Sequence, residues 1–341
     1  MLLEENMQNK LDKYIASYFL KTTEIIKQIN PNNVIKLQFF QRKEFAILAG
    51  MQEVLELLKE NSDINKYKIK YLPDGSKIKA MEIVLELEGH YQDFGKFEGL
   101  IDGILSRATS IATHAYNCIN AAKNKKVIFM GDRMDHYLMQ PFDGRAVHIG
   151  GIEIVSTPAQ NVIDIASPFG SVPHALIQNF DGNTAKAMLA YKQIFPNDKI
   201  IALVDYHNNV IAQTKEVLEV LGSNLWGIRL DTSKNMKDHM FDDLADEPKY
   251  YGVNVEQVKK VREFLDQNHS QEVKIVVSSG FNAEKIAHFE ENNAPVDYYG
   301  VGQAIFKPYA SFSADATMLN GKKQAKEGRF YRENERLIEF N

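Results

Sequence analysis

A single cysteine, Cys118, stands in the 341 residues of this chain, which excludes an intrachain disulfide and any metal site built on a cysteine cluster. It falls in a helical pattern, where a free cysteine behaves as a small buried apolar residue. The histidines show no metal-binding spacing. Basic residues are in deficit: 40 Lys and Arg against 45 Asp and Glu give a formal charge of -5, whereas a nucleic-acid or membrane-surface protein needs a basic face. No apolar run approaches membrane-spanning length. The opening MLLEENMQNKLDKY is too charged for a signal peptide. The expectations are therefore no nucleic acid, no membrane and a cytoplasmic location. What remains is ordinary globular material, 44% hydrophobic and 25% charged, long enough for one large barrel or two domains.

The first hundred residues lack a regular alternation of strand and helix. Residues 11–30 are helical in period through Leu11, Ile15, Phe19 and Ile25. VIKLQFF reads as a strand, residues 44–60 as a helix through Ile47, Met51, Val54 and Leu58, and KIKAMEIVLELEG as a strand after the Pro73-Asp74-Gly75 turn. This predicts a mixed α+β domain over residues 1–105. A regular beat then begins. The helix SRATSIATHAYNCINAAK leads into the short apolar strands KVIFM, AVHIGGIEIV, KIIALV, NLWGIRL, VKIVV and VDYYGVG. Helical stretches such as GNTAKAMLAYKQIF and NVEQVKKVREFLDQ lie between them, the latter with Asn254 and Gln257 at capping-box spacing. Strands alternating with helices predict a parallel α/β sheet over residues 106–310, either doubly wound or a TIM-like barrel. Residues 311–341 leave the pattern and are expected to return to the first domain.

The ends of those strands favour the barrel, because active sites on such folds collect at that face. In order they are Gly131-Asp132-Arg133, Asp205, Arg229-Leu230-Asp231, Ser278-Ser279-Gly280 and Gly300-Val301-Gly302. The last two, within residues 273–306, suit a phosphate cradled by backbone N–H groups beside a helix capped by Asn282, or are two βα turns with ordinary glycines. Arg229 and Asp231 lie two apart on one strand and share a face. They suit anionic oxygens and ribose hydroxyls or Mg²⁺, or form an ion pair inside the barrel. Asp205 joins the same site or caps the next helix. Arg133 grips a substrate carboxylate or is a surface arginine. His174, fixed behind Pro173, is a nucleophile, a proton donor or a helix-start residue.

As an ordered series these segments resemble the nicotinate phosphoribosyltransferases, especially the shorter archaeal-type branch of the type II phosphoribosyltransferases. FEGLIDGIL at 97–105 resembles that family's Tyr-Glu-Thr…Leu-Gly segment, Gly131-Asp132-Arg133 its Gly-x-Arg, and GSVPHAL at 170–176 its Gly-Thr-Met-Pro-His-Ala-Leu. LVD at 203–205 and WGIRLDTS at 226–233 match its Ile-Asp-Thr and Gly-Val-Arg-Leu-Asp-Ser/Thr. IVVSSGF at 275–281, YGVGQ at 299–303 and AKEGRFYRENERL at 325–337 resemble its two phosphate loops and its closing segment.

The resemblance implies an incomplete TIM-like α/β barrel with an N-terminal α+β domain on which the C-terminal segment packs. It implies formation of nicotinate mononucleotide and diphosphate from nicotinate and phosphoribosyl diphosphate, in NAD salvage, with ATP as co-substrate and Mg²⁺ as cofactor. Carried over, the family's roles place the sugar phosphate on Ser278, Ser279, Gly280, Gly300 and Gly302, and the ribosyl phosphate and nucleotide on Arg229 and Asp231, with Asp231 as the Mg²⁺ contact. Asp205 is a further substrate contact, Arg133 meets the pyridine ring or its carboxylate, and His174 is phosphorylated by ATP. A homodimer with shared active sites is implied, Tyr18 stacking on the base and Arg42 reaching the diphosphate from the partner subunit. The chain departs from the pattern at Ser279, which replaces a glycine, at Gln303, which replaces threonine, and at Met130, which stands where some relatives carry a base-stacking aromatic. The alternatives are a quinolinate or nicotinamide phosphoribosyltransferase, the latter with Glu153 selecting the amide, or a non-catalytic nucleotide-binding relative.

Overall fold

In the computed structural model, which describes residues 11–164 and 170–340, the chain divides into two compact units. One holds the residues up to Thr113 and those from Lys307 on, the other His114–Phe306. The charged opening read against a signal peptide, residues 1–10, lies outside the described residues.

In the first unit, α1 (Ser17–Ile29) precedes β1 (Val34–Gln41), β2 (Ala46–Ile47), α2 (Met51–Asn61), β3 (Tyr67–Tyr71), β4 (Lys77–Ile78), β5 (Leu85–His90), α3 (Tyr91–Phe94) and the start of α4 (Glu98–Ala122). The helix expected from residue 44 begins only at Met51. Ala46 and Ile47 pair with β4 instead, and Gly50 takes φ +92°, where a side chain would meet Ala108 and Ile104 at 3.0 Å. The single strand expected over KIKAMEIVLELEG is broken into β4 and β5 around Met81, which is left-handed at φ +62°.

In the second unit, β6 (Lys126–Phe129), α5 (Gln140–Ile149), β7 (Ile154–Val155), α6 (His174–Gln178), α7 (Thr184–Ile194), β8 (Ile200–Leu203), α8 (Val210–Leu221), β9 (Leu225–Leu230), α9 (Val255–Gln267), β10 (Lys274–Val277), α10 (Ala283–Glu291) and β11 (Tyr298–Val301) keep the βα beat. The expected strand AVHIGGIEIV is helix over its first four residues, AVHI, which close α5. Proline in the first turn starts α5, Ala146 and Val147 are buried on it, and the strand shrinks to Ile154 and Val155. Asn254 caps α9 by accepting from the Gln257 N–H at 2.9 Å. The Gln257 side chain does not return the bond but donates to Thr232 at 2.9 Å, so only half of the capping box forms.

The chain then re-enters the first unit with β12 (Phe312–Leu319), β13 (Lys322–Lys323) and β14 (Ile338–Glu339), giving the sheet order β13-β12-β1-β5-β3-β14. β12 pairs antiparallel with β1 and β14 with β3. Buried Gln38 ties the segment between them, donating to the Arg332 carbonyl at 2.6 Å and accepting from its N–H at 3.0 Å. The C-terminal segment thus packs on the N-terminal domain as strands of its own sheet.

The second unit's sheet runs β7-β6-β11-β10-β9-β8, all pairs parallel. It keeps two edges, so the barrel is incomplete. Register decides what shares a face. Ile128 lies beside Gly300 and Ile154, Val276 beside Tyr298 and Arg229, and Leu203 beside Arg229. One face therefore has an apolar floor of Ile128, Ile201 and Val276, flanked by Met130, Ile154, Trp226 and Tyr298. By alternation Asp205, Asp231 and Ser278 continue that face past the strand ends.

Candidate functional site

Arg229 is the last polar residue of β9, and its guanidinium makes three contacts. Nη2 pairs with Asp231 Oδ2 at 3.0 Å, Nε donates to Ser278 Oγ at 2.8 Å, and Nη1 donates to Ser171 Oγ at 3.1 Å. Ser278 Oγ lies 2.5 Å from Asp231 Oδ1, so one hydroxyl closes the ring between arginine and carboxylate. The ion pair foreseen as an alternative is present, and it sits at the sheet's carboxyl edge with about a fifth of each side chain exposed. Ser171 and the bridging hydroxyl of Ser278 were not foreseen in these contacts. The signal for Ser171 was its place two before Pro173, where the resemblance has threonine.

His174 opens α6 directly behind Pro173, which has extended backbone. Its Nε2 lies 2.9 Å from Asp205 Oδ1. The imidazole is half exposed, and the carboxylate only 7%. Burial holds the Asp205 carboxyl above the usual range, the bond to His174 pulls it down, and nearby Asp231 pushes it up again. Asp205 therefore faces both the histidine and the Arg229–Asp231 pair rather than capping a helix; Asn209 caps α8. A carboxylate on Nε2 favours the tautomer that leaves the Nδ1 lone pair free.

Beyond β10, Ser279 and Gly280 are both left-handed at φ +73°. A side chain at Gly280 would meet no atom within 4 Å, so open space lies over this loop. Asn282 caps α10 as expected, accepting from the Lys285 N–H at 2.8 Å. The other two glycines have close neighbours: a Cβ at Gly300 would stand 2.6 Å from the Met130 sulfur, and one at Gly302 2.6 Å from the Met130 carbonyl oxygen. Met130 thus lies against the β11 loop. Arg133, after β6, is exposed.

Tyr18 and Arg42 belong to the first unit. Tyr18 is 61% exposed on α1, and Arg42 donates to Ser313 Oγ at 3.0 Å. Glu153 does not lie with the strand-end residues. It precedes β7 and pairs with Lys126, the first residue of β6, at 3.7 Å, and so occupies the amino edge of the sheet. Among the described residues no group of three or more His, Cys, Asp or Glu forms a metal cage. Asp231, with Asp205 near it, fits the one or two carboxylates through which a protein meets a Mg²⁺ carried on phosphate oxygens.

Chemically, this edge offers an arginine, two carboxylates, a hydroxyl cluster, an open loop at a helix N-terminus and an oriented imidazole. Anionic, hydroxyl-rich ligands fit such a set. Comparison with known proteins agrees. Residues 17–109 match the family model for the quinolinate phosphoribosyl transferase N-terminal domain, and residues 111–310 that for its C-terminal domain. The crystal structure of nicotinate-nucleotide pyrophosphorylase from Pyrococcus furiosus is similar with a TM-score of 0.82 and 30% identity, over 96% of this chain and 81% of that one. Human nicotinic acid phosphoribosyltransferase shares the fold, with a TM-score of 0.69 and 16% identity over 91% of this chain and 75% of that one. Nicotinate phosphoribosyltransferase of Bacillus subtilis is 24% identical over 80% of this chain and 58% of its own length. That of Mycobacterium tuberculosis is 26% identical over 65% and 46%, so the matches span about half the length of these curated relatives. With both domain models matched in order and the strand-end residues gathered at one edge, the chain belongs to the quinolinate phosphoribosyltransferase family, the type II phosphoribosyltransferases.

Proposed function

We propose that this protein is a nicotinate phosphoribosyltransferase, forming nicotinate mononucleotide and diphosphate from nicotinate and phosphoribosyl diphosphate with ATP as co-substrate. The observation that carries the reading is the His174 Nε2 to Asp205 contact of 2.9 Å at the edge that also holds Arg229, Asp231 and Ser278. Phosphoribosyl transfer alone needs no histidine nucleophile, whereas an ATP-coupled enzyme needs one with a free, basic nitrogen.

In this reading the loop from Ser278 to Gly280 and the N-terminus of α10 hold the 5′-phosphate, with Gly300 and Gly302 beside them. Asp231 meets the ribose hydroxyls and Arg229 the phosphate oxygens. The pyridine nitrogen attacks C1 of the sugar with its own lone pair. The C1–O bond breaks and its electron pair leaves with diphosphate, so no general base is required. Catalysis is then positioning and charge stabilisation. Mg²⁺, when bound, neutralises charge on the leaving diphosphate. Asp205 holds the His174 Nε2–H so that the Nδ1 lone pair attacks the γ-phosphorus of ATP, the bond to the bridging oxygen breaking with its electron pair leaving on ADP.

With Arg229 assigned to phosphate oxygens, exposed Arg133 is the cation offered to the carboxylate of nicotinate; a dicarboxylate such as quinolinate asks for more. Glu153, at the opposite edge of the sheet, gives no support to selection of an amide. Tyr18 and Arg42 would complete the base and diphosphate contacts from a partner subunit.

The test is diphosphate release from phosphoribosyl diphosphate and nicotinate, with and without ATP, for the parent and for His174→Ala. The parent should be stimulated by ATP, and the variant should lose that stimulation while retaining slow release. ATP stimulation that persists in His174→Ala would sink the assignment.

A further inference from the structure

The peptide between Ser279 and Gly280 is held from behind. A left-handed conformation is free for glycine but strained for serine, so neighbouring groups must fix this loop. Lys285, in the first turn of α10, is the side chain that does so. Its Nζ donates to the Ser279 carbonyl oxygen at 3.3 Å. The same ammonium lies 4.3 Å from the ring centroid of Phe281 and 5.8 Å from that of Phe289. These rings pack edge-on with centroids 4.9 Å apart, and both are buried. Phe289 follows Lys285 by four positions on α10 and so lies on the same side of the helix, while Phe281 stands just before the cap, Asn282. Two aromatic faces favour a cation there, while burial lowers the lysine to about 8.

The consequence follows from peptide geometry. In a planar trans peptide the C=O and N–H groups point in opposite directions. Turning the Ser279 carbonyl toward Lys285 therefore turns the Gly280 N–H away from it. Gly280 is also where a side chain would meet open space. We propose that Lys285 is a positioning residue for the sugar-phosphate cradle: by gripping the Ser279 carbonyl, it presents the Gly280 N–H to the 5′-phosphate. This inference rests on the phosphoribosyl reading above and adds to it a residue that acts through the loop and not by touching substrate.

The test titrates ribose 5-phosphate into the full chain by calorimetry, for the parent, Lys285→Met and Lys285→Arg. Methionine keeps the stem over the aromatic rings and loses the donor, so affinity should fall by about tenfold. Arginine, which can still reach the carbonyl, should restore most of it. In turnover the KM for phosphoribosyl diphosphate should rise by the same factor in Lys285→Met, with the KM for nicotinate unmoved. A folded Lys285→Met with parental affinity for ribose 5-phosphate would overturn the proposal and leave the functional reading intact. A parent that binds no ribose 5-phosphate would overturn both. Independently of any variant's folding, the Gly280 amide resonance of the ¹⁵N-glycine-labelled parent should shift on adding ribose 5-phosphate; an unmoved resonance in a protein that binds the ligand would also overturn it.

Discussion

Ser279 is the residue at which sequence and conformation meet most sharply. The sequence marked it as a serine where the resembled family has glycine, and the backbone explains why glycine belongs there: φ is +73°. A β-branched side chain tolerates that region far less than serine does. Ser279→Gly should keep phosphate binding and change stability by under about 1 kcal/mol, since relieved strain is offset by a freer unfolded chain. Ser279→Val should cost about 2 kcal/mol or more and weaken ribose 5-phosphate binding, both read by thermal melting and calorimetry. Equal behaviour of the two variants would contradict the strain argument. Arg229 and Asp231 were legible because a two-residue spacing on a strand admits one geometry, a shared face. Ser171 and Lys285 were not, because they reach the edge through a turn and from a helix, where spacing in sequence says little about distance.

At the scale of elements, the strands of the second unit were legible as short apolar runs, and α5 was misread because AVHI is as apolar as a strand. Its proline-started first turn was the missed sign. α4 shows a competition that only the fold reveals. Its first turns carry Glu98 and Asp102, which the helix N-terminus would favour as charges. Burial wins instead: it raises Glu98 to about 7, with Asp102 and Asp315 adding to the shift. It also raises Asp102 to about 7, with Arg42 pulling the other way. Asp102 Oδ1 is buried with no hydrogen-bond partner. Both folded values lie above the unfolded ones, so the native state binds more protons between about pH 4 and 7. The associated stability is full below that window and lost as pH rises through about 7. Asp102→Asn should therefore melt close to the parent at pH 5.5 and above it at pH 8, by the equivalent of about 1 kcal/mol. A variant less stable than the parent at pH 8 would contradict this.

At the scale of the whole chain, the α/β beat and the return of the C-terminal segment were legible, the first from periodicity and the second from its departure from that periodicity. The pairing of that segment with β1 and β3 was not, since a strand partner some 280 residues away leaves no local trace. The family follows from the two domain models; the base proposed for this member is a finer question. Its most direct measurement is diphosphate release from phosphoribosyl diphosphate with nicotinate, nicotinamide or quinolinate, each with and without ATP. The proposed nicotinate reading predicts release with nicotinate, accelerated by ATP, and little with the other two. Release with quinolinate that ignores ATP, or with nicotinamide in preference to nicotinate, would contradict it.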